Sequence, residues 1–322
     1  MKRISLIIPF YGVEKYIRTC LESVYNQDLP ESEYEVICVN DCSPDNSESI
    51  VREFMEIHDN LLLLCHETNL KLGAARNTGL RYAQGEYVWF IDSDDYIRSN
   101  SLQEITKICE NEVLDILHWS IQDNFGRWIL RLDESGVYSG VDDLLHGSRD
   151  MTYPWNRVYK RDFLLRNNLW FNHLWGGDVI HTIQSLNAAT RIKNVPDCFY
   201  FYRVDNSSSD MRSPITANKV ISFSFILGRA LEDCITSLNP LLHPLLHECV
   251  EWRVNQSFKP ILRLPINERV IFYKTMSGDT ELRQYVLKTA NRRVKLTLRF
   301  PILTFLLSFP YRVLRKIRYN ND

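Results

Sequence analysis

The sequence predicts an α/β fold, a mostly parallel sheet flanked by helices and followed by an α-helical carboxyl-terminal extension. Three observations predict it. Strand-like and helix-like apolar patterns alternate strictly through the first hundred residues. The strand segments are continuous apolar runs, as strands buried on both faces of a parallel sheet are. Residues 215–290 read as mainly helical, with proline breaks.

Ile4 to Ile8 is a short apolar run stopped by Pro9, which predicts the first strand. Val13, Tyr16, Ile17, Cys20, Leu21 and Val24 recur at helical spacing and form one stripe. Val36 to Val39 is the second strand. Ser43-Pro44 reads as an N-cap with proline at the first helical position, so the second helix is expected to run from there to about His58. Leu61 to Cys65 is the third strand. Leu72, Ala75, Leu80 and Ala83 mark a third helix ending near Gly85, and Tyr87 to Ile91 is the fourth strand. Past Asn100 the alternation fades into short apolar runs rich in Trp and Tyr. The organisation expected is a first half over 1–100, a second half over 101–212 and a helical region with a basic tail over 213–322.

At 322 residues the chain is long enough for a substantial core. Its 45% hydrophobic and 24% charged residues are those of a globular protein. A net charge of −2 argues against a nucleic-acid binder, which needs a basic surface to displace counterions. The eight cysteines include no Cys-x-x-Cys pair, so no zinc site is suggested. Free thiols, and a start too short in apolar residues for a signal peptide, make the cytoplasm the expected compartment.

Parallel sheets bind ligands beyond the carboxyl ends of their strands. At the four expected ends lie Pro9 to Tyr11, Asn40-Asp41, His66 to Asn69 and Asp92 to Asp95. Three of these ends carry carboxylates or amides able to hold a ribose, a base or a metal. Asp92 and Asp94, two residues apart just beyond a strand, project to the same side and can face one ligand. A nucleoside diphosphate leaves poorly until its charge is neutralised. Mg²⁺ or Mn²⁺ takes oxygen ligands and keeps positions open for phosphate. A polar turn with a helix cap is the alternative reading of the same four residues.

Four segments carry a resemblance. They are Ile7-Ile8-Pro9-Phe10-Tyr11, Val39 to Asp45, Asn69 with Gly73-Ala74-Ala75-Arg76-Asn77-Thr78-Gly79, and Gly85 to Asp95. In order and spacing the first hundred residues resemble the family 2 glycosyltransferases, whose fold is the Rossmann-like GT-A type. The resemblance implies that Pro9 and Tyr11 border a nucleobase pocket and that Asp41 hydrogen-bonds the base, usually uracil. It implies that Arg76 serves the base side of the pocket or the diphosphate, that Asp92 faces the ribose, and that Asp94 ligates the metal of a D-x-D motif. Core packing is the other reading of Tyr11, and a surface helix charge that of Arg76. Gly12, Cys42 and Lys71 depart from the family pattern, Lys71 standing where a glycine is frequent.

Further on, Pro154 to Arg161 resembles the family's Trp-Asn-Lys segment, with Arg157 in place of lysine. Tyr202-Arg203 before Ser207-Ser208 resembles its Tyr-Arg…Ser-Ser segment. Between them the family carries a Glu-Asp pair whose aspartate is the general base. Here Gly176-Gly177-Asp178 keeps the aspartate and lacks the glutamate. An inverting transfer is one in-line displacement, and a single carboxylate within reach of the acceptor hydroxyl suffices as base. Asp178 is that candidate, with helix N-cap as the other reading. His181, on the same helix face, is read as a partly buried structural histidine, with a metal or diphosphate contact as the other reading.

Residues 291–322 hold eight Lys/Arg and one acid, leaving 30 basic and 39 acidic residues in the first 290. Pro301 and Pro310 preclude one straight helix there. Two amphipathic pieces on an anionic membrane surface fit this pattern, and packing on the catalytic domain is the alternative. The functional expectation is an inverting, metal-dependent glycosyltransferase, taking a UDP-sugar as donor and a saccharide or lipid-linked acceptor, in surface-polysaccharide synthesis at the inner face of the membrane. A catalytically silent nucleotide-binding homologue is the rival. A nucleotidyltransferase ranks lower, because no Gly-rich basic loop follows the first strand.

Overall fold

The computed structural model describes residues 2–134, 136–146, 153–174, 176–206 and 214–299. Those residues divide into two compact units, one within 2–173 and 177–206, the other comprising 174, 176 and 214–299. Residues 2–100 and the described residues of 101–206 apart from 174 and 176 fall in the first unit.

The first unit opens with β1 (Ile4–Phe10), α1 (Ile17–Tyr25), β2 (Tyr34–Asn40), α2 (Ser47–Met55), β3 (Leu61–Cys65), α3 (Leu72–Tyr82) and β4 (Tyr87–Phe90). These are the predicted elements in the predicted order. The stripe on α1 buries Ile17, Cys20, Leu21 and Val24. Two boundaries differ. β1 runs through Pro9 rather than stopping before it. Ile7 faces β4, since its carbonyl accepts from Ile91, and the residue two on faces the same way. β4 pairs only as far as Ile7–Phe90, so the missing N–H of Pro9 lies past its end and no ladder bond is lost. The second helix starts at Ser47, not at Pro44. Ser43 and Asp45 instead tie two loops together: Ser43 Oγ accepts from Gly12 N (2.8 Å), and Asp45 accepts from Glu14 N (2.9 Å) and Ser47 Oγ (2.6 Å).

Then come β5 (Tyr96–Ile97), α4 (Leu102–Glu112), β6 (Ile116–Trp119), β7 (Ile121–Asp123), β8 (Trp128–Leu130), α5 (Gly140–His146), β9 (Arg157–Lys160), α6 (Arg161–Arg166), α7 (Asp178–Ala188), β10 (Ile192–Val195) and β11 (Tyr200–Tyr202). The main sheet has the order β10-β6-β9-β4-β1-β2-β3. It is parallel except at β9, which runs antiparallel between β4 and β6. A second sheet, β5-β11-β7-β8, stands beside the end of β4.

The core of this unit is the apolar content of β1, β2 and β4 closed over by α1 and α4, with Trp89, Trp119, Trp155 and Tyr200 buried together. Trp89 meets Trp119 edge-on at 4.9 Å, and Trp155 stacks on Tyr200 at 4.3 Å. α3 lies so close to β1 that a Cβ on Gly79 would stand 2.3 Å from Ile7 Cγ2. The glycine of the Arg76-Asn77-Thr78-Gly79 segment is therefore required by packing.

The second unit is helical: α8 (Ala217–Val220), a π-helical turn (Ile221–Ile226), α9 (Leu227–Ile235), α10 (His243–Gln256), α11 (Phe258–Arg263), α12 (Ile266–Gly278), α13 (Thr280–Thr289) and α14 (Arg292–Arg299). Its own core gathers Phe225, Val254, Phe272, Met276, Val286 and Val294. The helical expectation for this region holds. Of the basic tail only α14 is described; residues 300–322 lie outside the described residues. Among the described residues no helix is long and apolar enough to cross a membrane.

Candidate functional site

The residues singled out at the strand ends share one edge of the main sheet. β4 delivers Asp92 to Asp95 to that edge, and the second sheet holds them. Asp95 is 1% exposed. It accepts from Tyr200 Oη (2.6 Å) and from the Arg203 amide (2.6 Å). Tyr200 Oη also accepts from the Asp92 amide at 3.2 Å, so one buried phenol fixes both ends of the acidic segment. Asp94 Oδ2 accepts from Asn206 Nδ2 (2.7 Å), and its carbonyl accepts from Arg203 Nε (2.8 Å). The Arg203 guanidinium lies against the rings of Tyr16 and Tyr96, at 5.3 and 5.6 Å. Burial, and then the charge of Asp92, pushes the Asp94 carboxyl above its usual range, with Asn206 opposing. Asp95 is pushed well above it by burial and by both neighbouring carboxylates.

Asp92 and Asp178 meet through Arg76. The guanidinium is wholly buried and donates through Nη2 to Asp92 Oδ1 (2.6 Å) and through Nη1 to Asp178 Oδ1 (2.5 Å). Its central carbon lies 5.1 Å from the Phe171 ring centre. Arg76 is thus neither a surface charge nor a lone cation. It is the bridge that brings Asp178 of α7, 102 positions from Arg76 in sequence, to the end of β4. Asp178 is the first residue of α7, the N-cap position belongs to Gly177, and no side-chain cap bond forms there. Burial raises the Asp178 carboxyl above its usual range, Arg76 opposes the shift, and Asp92 adds to it. His181, one turn on, is 1% exposed and stacked on Phe171 at 3.8 Å. Burial, helped by Arg76 and Arg157, pushes its pKa down to about 3. It is a neutral core ring, as the sequence reading had it.

Asp41, 3% exposed at the end of β2, organises the loop after β3. Oδ1 accepts from Leu70 N and Oδ2 from Lys71 N, both at 2.8 Å. His66 Nδ1 lies 2.8 Å from Oδ1, and its Nε2 is 2.9 Å from Thr78 Oγ1. Lys71 is bent to φ 76°, ψ 162°. That region is essentially glycine's alone and costs a side-chain-bearing residue about 1–3 kcal/mol. Its departure from glycine is therefore a strained one, held by the two amide bonds to Asp41.

Tyr11 is 50% exposed, so it is not a core ring. Pro9 is buried in β1 beside it. Trp155, Asn156 and Arg157 are buried rather than facing solvent. Trp155 supports Tyr200 and Tyr202 by stacking, and Asn156 Nδ2 lies 2.8 Å from His118 Nε2. The sequence set His66 and Asp95 at the strand ends without giving either a role; Tyr200 and Asn206 it did not single out. The aromatic run Phe199-Tyr200-Phe201-Tyr202 was the signal available for Tyr200, and Asn206 has only a spatial one.

The donor set suits a hard cation. Among the described residues no group of three or more His, Cys, Asp or Glu gathers to hold a metal. The carboxylates of Asp92 and Asp94 are the oxygen donors at this edge that could hold one. Burial first, and the charge of Asp92 second, make Asp94 bind a proton more readily. Mg²⁺ and Mn²⁺ take oxygens, and Mg²⁺ is commonly bound through one or two carboxylates with phosphate and water completing the shell.

The chain is 32% identical over 216 residues to the uncharacterized glycosyltransferase EpsJ of Bacillus subtilis, covering 64% of this chain and 62% of EpsJ. It is 31% identical over 216 residues to the poly(ribitol-phosphate) beta-N-acetylglucosaminyltransferase TarS of Staphylococcus aureus, covering 66% of this chain and 37% of TarS. The chain thus spans less than two thirds of these relatives. A crystal structure of S. aureus TarS 1–349 in complex with UDP superposes with a TM-score of 0.67 at 22% identity, over 99% of this chain and 92% of that one. The mannosyltransferase PcManGT of Pyrobaculum calidifontis, in complex with GDP-Man and Mn²⁺, gives 0.58 at 18%, over 93% and 87%. Both show the same α/β fold. The sequence model of glycosyl transferase family 2 matches residues 5–169, the segment that runs from β1 through the acidic edge to the end of α6. The chain belongs to glycosyl transferase family 2.

Proposed function

We propose that the chain is an inverting glycosyltransferase that moves a sugar from a nucleotide sugar, UDP-linked, to a saccharide or lipid-linked acceptor in surface-polysaccharide synthesis. The observation that carries the reading is the Asp92–Arg76–Asp178 bridge, which sets a candidate base beside the acidic end of β4. TarS, a beta-N-acetylglucosaminyltransferase crystallised with UDP, supports the choice of donor.

Tyr11 and Pro9 would border the base, with Asp41 turned to it and Asp92 to the ribose. Asp94, with Asp92, would hold Mn²⁺ or Mg²⁺, which neutralises diphosphate charge when bound. Asp178 takes the proton of the acceptor hydroxyl as that oxygen bonds to the anomeric carbon. The bond from that carbon to the diphosphate oxygen breaks with its electron pair on UDP, and the anomeric configuration inverts. A carboxyl raised by burial is the better base for this, since its proton affinity moves toward the working pH. Arg76, itself shut off from solvent, acts through the two carboxylates and sets where Asp178 stands. α14, with Arg292, Arg293, Lys295 and Arg299, begins a basic segment suited to an anionic membrane at the cytoplasmic face.

A UDP-release screen across nucleotide sugars tests the activity. Asp178→Asn keeps UDP affinity by calorimetry while transfer falls by about 10³ or more; an active variant removes Asp178 as base. Asp94→Ala abolishes the Mn²⁺ dependence of UDP binding, and metal-independent binding by the parent protein overturns the role of Asp94. Gly177 in place of the family glutamate favours one other reading, a nucleotide-binding homologue without transfer. UDP binding with no sugar release from any donor supports it.

A further inference from the structure

The hairpin between β7 and β8 carries an exposed aromatic surface that the donor site does not use. Phe125 is 64% exposed and Trp128 45%, three positions apart, while Ile129, next to Trp128 in β8, is turned to the other face of the sheet. Single exposed apolar residues are ordinary; several held together on a rigid element mark a contact surface. This element is rigid. Asp123 accepts from the amides of Phe125 and Arg127 (2.9 Å each) and from Arg127 Nε (2.6 Å), and Gly126 closes the turn at φ 76°. The Arg127 guanidinium lies 5.5 Å from the Phe125 ring centre and that of Arg131 lies 5.7 Å from Trp128. Each ring therefore has a donor-rich cation over one face, which leaves the opposite face for a ligand and sets the ring's orientation before any ligand arrives.

The hairpin is also tied to the acidic edge. β5 begins directly after Asp95 and pairs antiparallel with β11, while β7 runs parallel to β11. The start of β5, the end of β11 and the turn after β7 thus lie along one edge of the second sheet. The turn is fastened there by two bonds: Asn124 N donates to the Tyr202 carbonyl (3.0 Å), and Val204 N donates to Asn124 Oδ1 (2.9 Å). Arg203, between those two residues, holds Asp94 and Asp95. With strands about 4.8 Å apart, β7 and β8 stand roughly 10–14 Å along that edge from the carboxylates. That is the span of a few sugar rings, and the row leads from the reacting centre to the rings of Phe125 and Trp128.

The geometry points to the β7–β8 hairpin as a remote acceptor subsite, in which Phe125 and Trp128 stack against sugar rings of an oligomeric saccharide and Arg127 and Arg131 donate to its hydroxyls. The flat C–H face of a pyranose meets an aromatic face, and its rim of hydroxyls meets the guanidinium groups. The inference rests on the reading of the acidic edge as the donor site, since only then does the edge lead from donor to acceptor. The subsite binds rings already in the polymer and takes no part in bond making. It selects for chain length over the identity of the terminal residue.

The test uses the full chain labelled with 5-fluorotryptophan, in which Trp128→Phe assigns one of the resonances of the seven tryptophans. Cellopentaose, chitopentaose and maltopentaose are titrated separately, with cellobiose as the short control. The Trp128 resonance shifts with at least one pentasaccharide and less with the disaccharide, while the buried Trp89 and Trp119 do not respond. Phe125→Ala, at an exposed position that leaves folding intact, weakens that binding about tenfold. No shift of Trp128 with any pentasaccharide overturns the proposal. So does a shift produced instead by phosphatidylglycerol vesicles, which makes the hairpin a lipid contact. UDP calorimetry on the same samples separates the two readings. A protein that binds sugars at Trp128 but not UDP refutes the donor site, and one that binds UDP but no sugar at Trp128 refutes the hairpin alone.

Discussion

Replacing Arg76 by methionine removes the positive charge between Asp92 and Asp178 while keeping most of the side chain's volume. Breaking a buried ion pair from one side costs about 3–5 kcal/mol, because the partner charges stay behind uncompensated. The side chains of Asp92 and Asp178 are 23% and 30% exposed, so water screens part of what remains and about 2–4 kcal/mol is the working figure. For a unit of this size that lowers Tm by roughly 5–15 °C. The pH dependence is the sharper readout. The folded-state carboxyl of Asp178 is raised by burial, with Arg76 opposing. A carboxyl raised on folding contributes stability below its unfolded pKa and loses it as pH rises through the folded one. Without Arg76 the rise is larger. The deficit of Arg76→Met against the parent therefore widens from pH 5 to pH 8 and narrows in acid, which thermal melts across that range report. Adding Asp178→Asn recovers part of the loss at pH 8, because one of the stranded charges is gone. A deficit equal at pH 5 and pH 8, or no deficit at all, refutes the bridge as the support of this site.

Two further predictions concern residues that support the edge. Lys71→Gly relieves a conformation costing about 1–3 kcal/mol against a glycine entropy cost of about 0.5–1 kcal/mol. It raises Tm by a few degrees where Lys71→Ala does not, and a lower Tm for the glycine variant contradicts the strain. Tyr200→Phe strips Asp95 of a buried donor, costs about 1.5–3 kcal/mol in urea unfolding, and weakens Mn²⁺-supported UDP binding by loosening the acidic segment. Unchanged unfolding in this variant removes Tyr200 as the clamp.

β1, β2 and β4 were legible in the sequence because a strand buried on both faces must be apolar without interruption, and β3 carries the same kind of run although it lies at the sheet edge and is only partly buried. β9 was not. Its Arg157-Val158-Tyr159-Lys160 is polar at both ends, and its place between β4 and β6 depends on pairings with no local signature. The second sheet is built from strands of two or three residues, too short for any period to declare itself. The start of the second helix misled because Ser43 and Asp45 have the chemistry of caps but spend it on the loop after β1. In the site, residue types and their sheet edge could be read from sequence. What Arg76 holds could not, since its partners sit 16 and 102 positions away.

The antiparallel place of β9 bears on how the chain assembles. The four strands completed by Phe90 leave one side of β4 open, and neither β6 nor β10 can close it, because both lie beyond β9 in the sheet. A nascent or truncated chain ending anywhere before Lys160 therefore presents β4, whose backbone carries the acidic segment, as a bare template for another chain. Fragments cut between β8 and β9 should aggregate where fragments that include β9 remain soluble. The acidic edge is thus secured late, after more than half of the unit has been made.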